Sequence, residues 1–406
     1  MKKTITYLAI ICSAFLFSSI SYAQTSQWTA LTSGTSNNLV GVDAISADTV
    51  FVAGQYGTIL KTTNGGATWV TQTSGTSQQF YDIKFINSNV GFAVGDNGAV
   101  VKTINGGTNW TNVSLTSQSM RVVKFINSTT GFITGAGSTI FRTTDGGSTW
   151  TSISAGASNI YGVCFTSATK GYISCFDGTM RQTVDGGSTW TSLASIVSTQ
   201  LNTIQFTNPT TGIVVGASGV IRKTINSGLN WSTVIMTTTP DFLANQIFLD
   251  ANNGFVTGGN IANNTGIILS TTDGGSNWTT YLPGTSRLCN VDFPNANVGY
   301  SPGLNGTILK YTSNVGISKN ATNKPKSITA YPNPTNNSIT VDLAGYEFNG
   351  SAFFELFDIS GKLIYEIKDV NTDKLVIQKN NLNTGIYFFK ISDLQKLIGT
   401  GKIIIE

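Results

Sequence analysis

The chain alternates short hydrophobic stretches with turns rich in Gly, Asn, Asp and Ser, and the alternation recurs about every 40 residues. The repeat Tyr81–Trp110 shows the pattern. Apolar and polar positions alternate through Tyr81–Phe85, and similar stretches follow at Gly91–Val94 and Ala99–Thr103. A period of two residues predicts β-strands, and the turn residues between them predict antiparallel hairpins. Four such strands per repeat predict one blade of a β-propeller.

Six of the repeats contain an eight-residue phrase that begins with Thr and ends with Trp, as in TTDGGSTW at residues 143–150. The Asn or Asp at its third position can accept hydrogen bonds from the turn amides, and the glycines supply positive φ. The Trp is predicted to fill space between neighbouring blades. Ser227 replaces a glycine in the fifth copy, so that turn is expected to be the loosest. The residues given this structural role are Asn64, Trp69, Asn105, Trp110, Asp145, Trp150, Asp185, Trp190, Asn226, Trp231, Asp273 and Trp278.

The ends of the repeat array predict how the ring closes. Trp28 stands alone, as a last strand without the three that should precede it. Residues 287–313 match the first three strands of a repeat but lack the final Trp. Joining the two fragments completes a seventh blade and removes the free sheet edges. The sequence therefore predicts an all-β fold with a seven-bladed propeller over residues 24–314.

Two further segments flank the array. Residues 1–23 combine Lys2 and Lys3, an apolar run and a small-residue cleavage site at Ala23, which predicts a secretory signal peptide. No other apolar run is long enough to span a membrane. Residues 315–327 are polar and patternless and are predicted to be a linker. Residues 328–406 contain short, evenly spaced strands, which predict a small Ig-like β-sandwich.

The residue types in the ring argue against catalysis. The chain has no His, and its four Glu residues all lie beyond residue 346. Nucleophilic triads that need His are therefore excluded, and no spacing of ligands suggests a metal. No cofactor is expected, and Cys164, Cys175 and Cys289 are expected to be small apolar fillers. The enzymatic alternative is a secreted polysaccharide hydrolase with paired aspartates, for which Asp96 and Asp177 are the candidates.

Candidate ligand-binding residues lie where the repeats differ, in the loops opposite the Trp phrase. Aromatic and Arg side chains are the usual anchors of protein and glycan sites. The basic series Lys61, Lys102, Arg142, Lys223 and Lys310 follows the phrase and is instead expected to pack along the neighbouring Trp. An insertion at Asn260–Gly266 is a candidate specificity loop. The candidate ligand-binding residues are Tyr56, Tyr81, Arg121, Tyr161, Phe176, Asn202, Phe242 and Arg287.

The repeated phrase resembles the Asp-box (BNR repeat). Its register resembles the propeller of the photosystem II assembly factor family (Ycf48-like), over roughly residues 28–313. That resemblance implies a protein-binding scaffold. The C-terminal pieces YPNP (331–334), ELFDISGKLI (355–364), LNTGIYFFKI (382–391) and GTGKIIIE (399–406) resemble the type A C-terminal sorting domain of the type IX secretion system of Bacteroidota. The residues that carry this sorting signal are Tyr331, Pro332, Asn333, Pro334, Gly361, Gly385, Tyr387 and Lys402.

These observations predict a monomeric protein, secreted or displayed on the cell surface via the periplasm, whose export partner is the type IX secretion machinery. Its expected function is a binding or adhesion scaffold for a protein or glycan. A hydrolase and a purely structural surface component are the alternatives. The formal net charge of +4 gives no basic field that would indicate nucleic acid.

Overall fold

The computed structural model describes residues 27–113, 115–235, 240–313, 326–346, 352–359, 361–379, 382–393 and 397–406. The chain divides into two compact units, Met1–Gly316 and Ile317–Glu406, which are described separately. The predicted signal peptide lies outside the described residues, as do residues 315–325 of the predicted linker. No helix in the described part of the chain is long and apolar enough to cross a membrane.

The first unit is a seven-bladed β-propeller, as the repeat predicted. Each blade is a four-stranded antiparallel sheet whose first strand is innermost. Two 3₁₀ turns, Gln55–Gly57 and Asp96–Gly98, join the second and third strands of blades 1 and 2.

The strands of the first four blades are as follows. Blade 1 contains Leu39–Ala44, Val50–Gly54, Ile59–Thr62 and Val70–Gln72; blade 2 contains Phe80–Phe85, Gly91–Gly95, Val100–Thr103 and Thr111–Asn112. Blade 3 contains Met120–Phe125, Gly131–Gly135, Thr139–Thr143 and Thr151–Ser154; blade 4 contains Ile160–Phe165, Gly171–Cys175, Met180–Thr183 and Thr191–Ser192.

The remaining three blades complete the ring. Blade 5 contains Leu201–Phe206, Gly212–Gly216, Ile221–Thr224 and Ser232–Thr233; blade 6 contains Phe242–Phe248, Gly254–Asn260, Thr265–Thr271 and Thr279–Tyr281. Blade 7 contains Asp292–Asn295, Val298–Pro302, Ile308–Thr312 and, from the start of the ring, Trp28–Leu31. The last of these pairs antiparallel with Ile308–Thr312, with Trp28 opposite Tyr311.

A repeated aromatic contact joins the blades. Phe85, at the end of the first strand of blade 2, stacks on Phe51 of blade 1 at 4.2 Å and meets Trp110 of its own blade edge-on at 5.9 Å. Its ring lies over Gly91, where a Cβ atom would come within 2.7 Å of it. Only glycine therefore fits opposite this phenylalanine. The corresponding edge-on contacts to Trp are made by Phe125, Phe165, Phe206, Phe248 and Phe293.

Blade 1 packs a different pair of residues at the position of this phenylalanine and glycine. At its Phe position it has Ala44, and the residue paired with Ala44 is Val50 instead of glycine. The small and large partners have exchanged places, and both side chains are buried. This blade meets blade 7, where the Ala44 amide donates to the Asp292 carboxylate at 2.9 Å. The seam of the ring is thus bridged by a polar contact close to the packed pair.

The repeated Trp phrase forms the same hydrogen-bonded turn in every copy. In blade 4 the Thr183 hydroxyl donates to Asp185 at 2.7 Å and accepts from the Gly187 amide at 2.9 Å. The Asp185 carboxylate also accepts from the Thr189 amide at 2.9 Å. In the fifth copy Ser227 adopts a φ of 61°, yet the turn retains the corresponding bonds from Thr224 and Asn226. The expectation of a looser turn is therefore not supported by its hydrogen bonding.

The four lysines of the basic series tie their blades to the following ones. Lys61 donates to the carbonyl of Gly106 in the next turn at 2.7 Å, and Lys102 donates to that of Gly147 at 3.0 Å. The Lys61 ammonium lies 5.3 Å from the Phe51 ring, so its aromatic partner is a second-strand phenylalanine rather than the predicted Trp. The series is structural, as expected, but through different contacts.

The C-terminal unit is a β-sandwich of two sheets. The five-stranded sheet contains, in order, Lys326–Ser327, Leu397–Ile405, Gly385–Ser392, Ala352–Asp358 and Leu363–Val370; the three-stranded sheet contains Ala330–Tyr331, Ser338–Asp342 and Lys374–Gln378. Alternate residues of the long strands, such as Phe354 and Phe389, are fully buried between the sheets. Lys326–Ser327, which the sequence assigns to the linker, is a strand of this unit.

Candidate functional site at the channel mouth

The ring has two different faces. The Trp phrases and the turns between first and second strands share one face, where the Gly65 amide donates to the Asp48 carbonyl at 3.0 Å. We call this the box face. The turns between second and third strands meet the blade-to-blade connections on the other side, where the Gly57 amide donates to the Gln78 carbonyl at 2.9 Å. We call this the loop face.

A β-bulge shapes the channel near the loop face. In blades 1 to 6 the pairing of the first and second strands shifts by one residue just inside the first strand. A bulge re-aims the side chain of the extra residue. The bulged residues all line a central cavity of about 960 Å³. They are Val40, Tyr81, Arg121, Tyr161, Asn202 and Ala244.

The bulged residues of blades 2 to 4 contact one another through their side chains. The Arg121 guanidinium lies 3.6 Å from the Tyr81 ring centroid and 5.4 Å from that of Tyr161. Such contacts hold a guanidinium in place without neutralising it. The Tyr81 hydroxyl donates to the Asp96 carboxylate at 2.9 Å. Burial and this hydrogen bond raise the pKa of Tyr81 to about 12, so the hydroxyl remains a donor at neutral pH.

A second arginine lies across the mouth. The Arg287 guanidinium is 5.5 Å from the Phe242 ring. A Cβ atom at Gly259 would approach the Arg287 Cγ to 2.9 Å, so the arginine stem passes directly over this glycine. Gly259 belongs to the hairpin that carries the predicted insertion, and Asn264 at its tip accepts from the Arg287 amide at 3.4 Å. The insertion therefore supports Arg287.

Neither arginine forms an ion pair within the described residues. The ion pairs there, at separations up to 4 Å, involve other side chains. Both guanidiniums belong to residues that line the cavity. Two uncompensated cations at the mouth of a concave site favour a ligand that carries negative charge.

A cluster of charged residues, which the sequence reasoning missed, lies on the innermost strands. Lys84 forms an ion pair with Asp43 and lies 3.7 Å from Asp292. The Asp82 carboxylate accepts from the amides of Ile83 and Val123, both at 3.0 Å. Burial raises the pKa of Asp82 to about 7. Burial also opposes the charge on Lys84, but the nearby carboxylates outweigh it and raise the pKa of the ammonium.

This cluster connects blades. The Asp43 carboxylate of blade 1 accepts from the Phe85 amide of blade 2 at 2.6 Å, and Asp82 accepts from blade 3. Its roles are thus structural, although Asp82, Lys84 and Asp292 also line the cavity. Charged residues in an innermost strand, where apolar ones are expected, are the sequence signal that could have indicated it.

Six of the eight predicted ligand-binding residues line the cavity, and two do not. Tyr56 is 70% exposed in a turn with a φ of 55°, and Phe176 packs on the outer side of Tyr161 at 5.8 Å. Among the six, Asn202 uses its amide to donate to the Leu243 carbonyl of blade 6 at 2.6 Å. The residues that line the cavity are Tyr81, Arg121, Tyr161, Asn202, Phe242 and Arg287.

The aspartates of the enzymatic alternative are both engaged in hydrogen bonds within the protein. Asp96 accepts from Tyr81 and from Ser119, each at 2.9 Å, and Asp177 accepts from the Thr179 hydroxyl at 2.6 Å. Neither lines the cavity. Among the described residues, no three His, Cys, Asp or Glu side chains are placed to hold a metal ion. Cys164, Cys175 and Cys289 are free thiols.

In the C-terminal unit three of the predicted sorting residues contact the last strand: Gly385 and Tyr387 pair with it, and Asn333 bonds to it. The Asn333 side chain donates to the Lys402 carbonyl at 2.6 Å and accepts from the Ile404 amide at 2.8 Å. It therefore bonds to the terminal strand as a neighbouring strand would. The Tyr387 hydroxyl donates to the Asn383 carbonyl at 2.9 Å and secures the preceding turn.

The fold and site define a seven-bladed propeller with a cationic channel mouth, joined to a small β-sandwich. Residues 72–157 and 190–289 match the family of the Photosynthesis system II assembly factor YCF48. Residues 329–406 match the Secretion system C-terminal sorting domain. Both resemblances inferred from the sequence are thereby confirmed. The sorting domain indicates secretion or export to the cell surface.

Solved structures agree on the fold. The chain is similar to YCF48 bound to D1 peptide, with a TM-score of 0.57 and 19% identity over 71% of this chain and 96% of that chain. YCF48 from Cyanidioschyzon merolae has a TM-score of 0.58 and 19% identity, over 71% of this chain and 99% of that chain. The GH74 enzyme of Niastella koreensis has a TM-score of 0.58 and 17% identity, over 78% of this chain and 59% of that chain. At these identities the likeness shows the fold alone. No curated protein matches the chain.

Proposed function

We propose that this protein is an exported binding or adhesion scaffold whose ring holds a protein or glycan ligand at the loop face, at the mouth of the central channel. The observation that carries the proposal is the pair Arg121 and Arg287. Each guanidinium is seated on aromatic rings, and neither has a carboxylate within ion-pair distance in the described part of the chain. A ligand with acidic groups would supply the missing charge.

Two comparisons support this proposal. A structurally similar protein, YCF48, has been solved with a bound D1 peptide, so a related ring can hold a protein segment. The sorting domain at residues 329–406 supports export by the type IX secretion machinery, through the periplasm, to the cell surface or the medium. A ligand outside the cell, either a protein or a glycan, follows from that location.

Binding by the two arginines is testable with acidic probes. The purified protein is applied to an array of acidic dodecapeptides and to one of uronic-acid and sulfated oligosaccharides. The double variant Arg121→Gln/Arg287→Gln should lose at least ten-fold in affinity for the probes that bind, because each lost charge-assisted contact contributes about 1.5–3 kcal/mol. Arg222→Gln, which alters an arginine outside the cavity lining, is the matched control. Equal binding by the double variant would contradict the proposal.

The second candidate is a secreted polysaccharide hydrolase, which the similarity to the GH74 enzyme favours. Its test is release of reducing ends from a panel of plant and bacterial polysaccharides. Turnover that disappears in Asp96→Asn or Asp177→Asn would replace the binding proposal with this one.

A further inference from the structure

The channel mouth carries side chains of different size at its bulge positions. Blades 2 to 4 place Tyr81, Arg121 and Tyr161 there, whereas blades 6 and 1 place Ala244 and Val40. Blade 7, between those two, adds Cys289 and, in its turn, Leu304, beside the larger Phe242 and Arg287. These four small residues are partly exposed, in contrast to the buried apolar core beside them.

We propose that these four residues form an apolar notch that takes an aliphatic side chain of a protein ligand, while an acidic group of the same segment pairs with Arg287. This inference rests on the proposed function, because it uses the same mouth and the same arginine. It adds a subsite and a requirement for two different ligand groups side by side.

The chain places the notch beside Arg287 in two ways. The Leu304 amide donates to the Arg287 carbonyl at 2.9 Å, which fixes the turn of blade 7 next to the arginine. Cys289 lies two residues beyond Arg287, and its amide donates to the Pro302 carbonyl at 2.9 Å. On the other side, Phe242 under the guanidinium is two residues before Ala244. An ionic contact and an apolar contact can therefore be made by neighbouring residues of one ligand.

The chemistry of the notch selects against a sugar. The side chains of Val40, Ala244 and Leu304 offer no hydrogen bonds, and a thiol is only a weak donor. Burial raises the pKa of the Cys289 thiol to about 11, so this side chain adds no charge at neutral pH. A hydroxyl placed against these side chains gains no strong hydrogen bond from them, whereas an aliphatic group gains from leaving water. A protein segment fits these demands better than a glycan.

The experiment uses the purified full chain and two kinds of probe. The first is a set of octapeptides with a single Glu and a Leu placed at each of three positions on either side, with Ser in place of Leu as the matched series. The second is poly-glutamate, which carries charge only. The variants are Ala244→Leu and Val40→Phe, which fill the notch, and Ala251→Leu, which enlarges an exposed alanine in a box-face turn.

The native protein should bind the best Leu peptide about ten-fold or more tightly than its Ser counterpart, as expected for one buried aliphatic side chain. Ala244→Leu and Val40→Phe should abolish this preference and leave poly-glutamate binding unchanged, and Ala251→Leu should change neither. Tryptophan fluorescence confirms folding of each variant, since all seven Trp residues lie in the ring.

Three results would overturn the notch. They are equal affinity for the Leu and Ser series, a preference that survives in both filled variants, and tighter binding of a uronic-acid oligosaccharide that filling does not affect. If Arg287→Gln still abolishes binding in those cases, the proposed function stands without the notch. If Arg287→Gln has no effect and no acidic probe binds, both proposals fail.

Discussion

The box face and the channel mouth are built from the same seven blades, but residues recur from blade to blade at the box face and change from blade to blade at the mouth. At the box face Thr62 donates to Asn64 at 2.9 Å, and Thr183 donates to Asp185 at 2.7 Å, three blades away. At the mouth the bulged residue changes from Tyr81 to Arg121 between adjacent blades. Every box turn satisfies its own backbone, so the same residues recur. The mouth has no such local demand, and its residues are free to follow a ligand.

The two regions also hold their carboxylates differently. Side-chain and backbone hydrogen bonds from Thr189, together with that from Thr183, lower the pKa of Asp185 to about 2. Burial raises the pKa of Asp82 to about 7. The box carboxylate is therefore stabilised as an anion and the channel carboxylate as an acid, and stability should respond to pH with opposite signs.

The largest predicted effect separates blade packing from the mouth. Phe85→Ala removes the ring that stacks on Phe51 and meets Trp110, and should lower the free energy of unfolding by about 3–5 kcal/mol. Arg121→Gln, at the mouth, should cost about 1 kcal/mol, the strength of a cation–π contact. Urea unfolding followed by tryptophan fluorescence measures both. Equal losses of unfolding free energy in the two variants would contradict the predicted difference between blade packing and the mouth.

The next effect concerns the channel carboxylate. An acid with a raised pKa in the folded state destabilises the fold once it must ionise, so stability should fall as pH rises from about 4 to about 7. Asp82→Asn should reduce this decline in the free energy of unfolding. The reduction should be at most about 4 kcal/mol, because each unit of pKa shift corresponds to about 1.4 kcal/mol. The variant loses an acceptor for Ile83 or Val123, so the slope with pH is the test and not the absolute stability. An unchanged slope would contradict the assignment.

The smallest effect lies in the box turns. A carboxylate with a lowered pKa contributes stability that is present above pH 4 and is lost as pH falls towards 2. Asp185→Asn should reduce that acid loss and leave stability at pH 7 nearly unchanged. Blade 1 already uses this arrangement, because Asn64 donates to Thr68 at 2.9 Å and accepts from its amide at 3.0 Å. Acid unfolding curves of both proteins would show whether the amide and the acid are interchangeable.

Much of the ring could be predicted because its signals are local. The Trp phrase determines its own turn through bonds that span four residues, as between Thr183 and Gly187. The orphan Trp28 predicted the closing strand, which the structure pairs with Ile308–Thr312. Gly91, by contrast, could be predicted only as the first residue of a strand, and the sequence gives no reason why that residue is glycine. Glycine is required at this position because the Phe85 ring lies directly above it, and only the folded blade shows that contact.

The site was harder to predict because it depends on contacts between blades. Arg121 was a candidate because of its residue type and its position opposite the Trp phrase. Its place between Tyr81 and Tyr161 depends on three adjacent blades. The bulges also break the simple alternation of inward and outward residues, which concealed the cluster around Lys84. Tyr56 was included for its loop position, but its left-handed turn leaves it outside the cavity.

The way the ring closes has a mechanical consequence. The chain leaves the ring from Ile308–Thr312, and this strand lies between Val298–Pro302 and Trp28–Leu31 instead of at the edge of its sheet. A pull transmitted through the C-terminal side therefore loads two hydrogen-bonded ladders at once, and the exit strand cannot peel away from a free edge. The N-terminal strand Trp28–Leu31 therefore protects the exit strand against force applied from the C-terminal side.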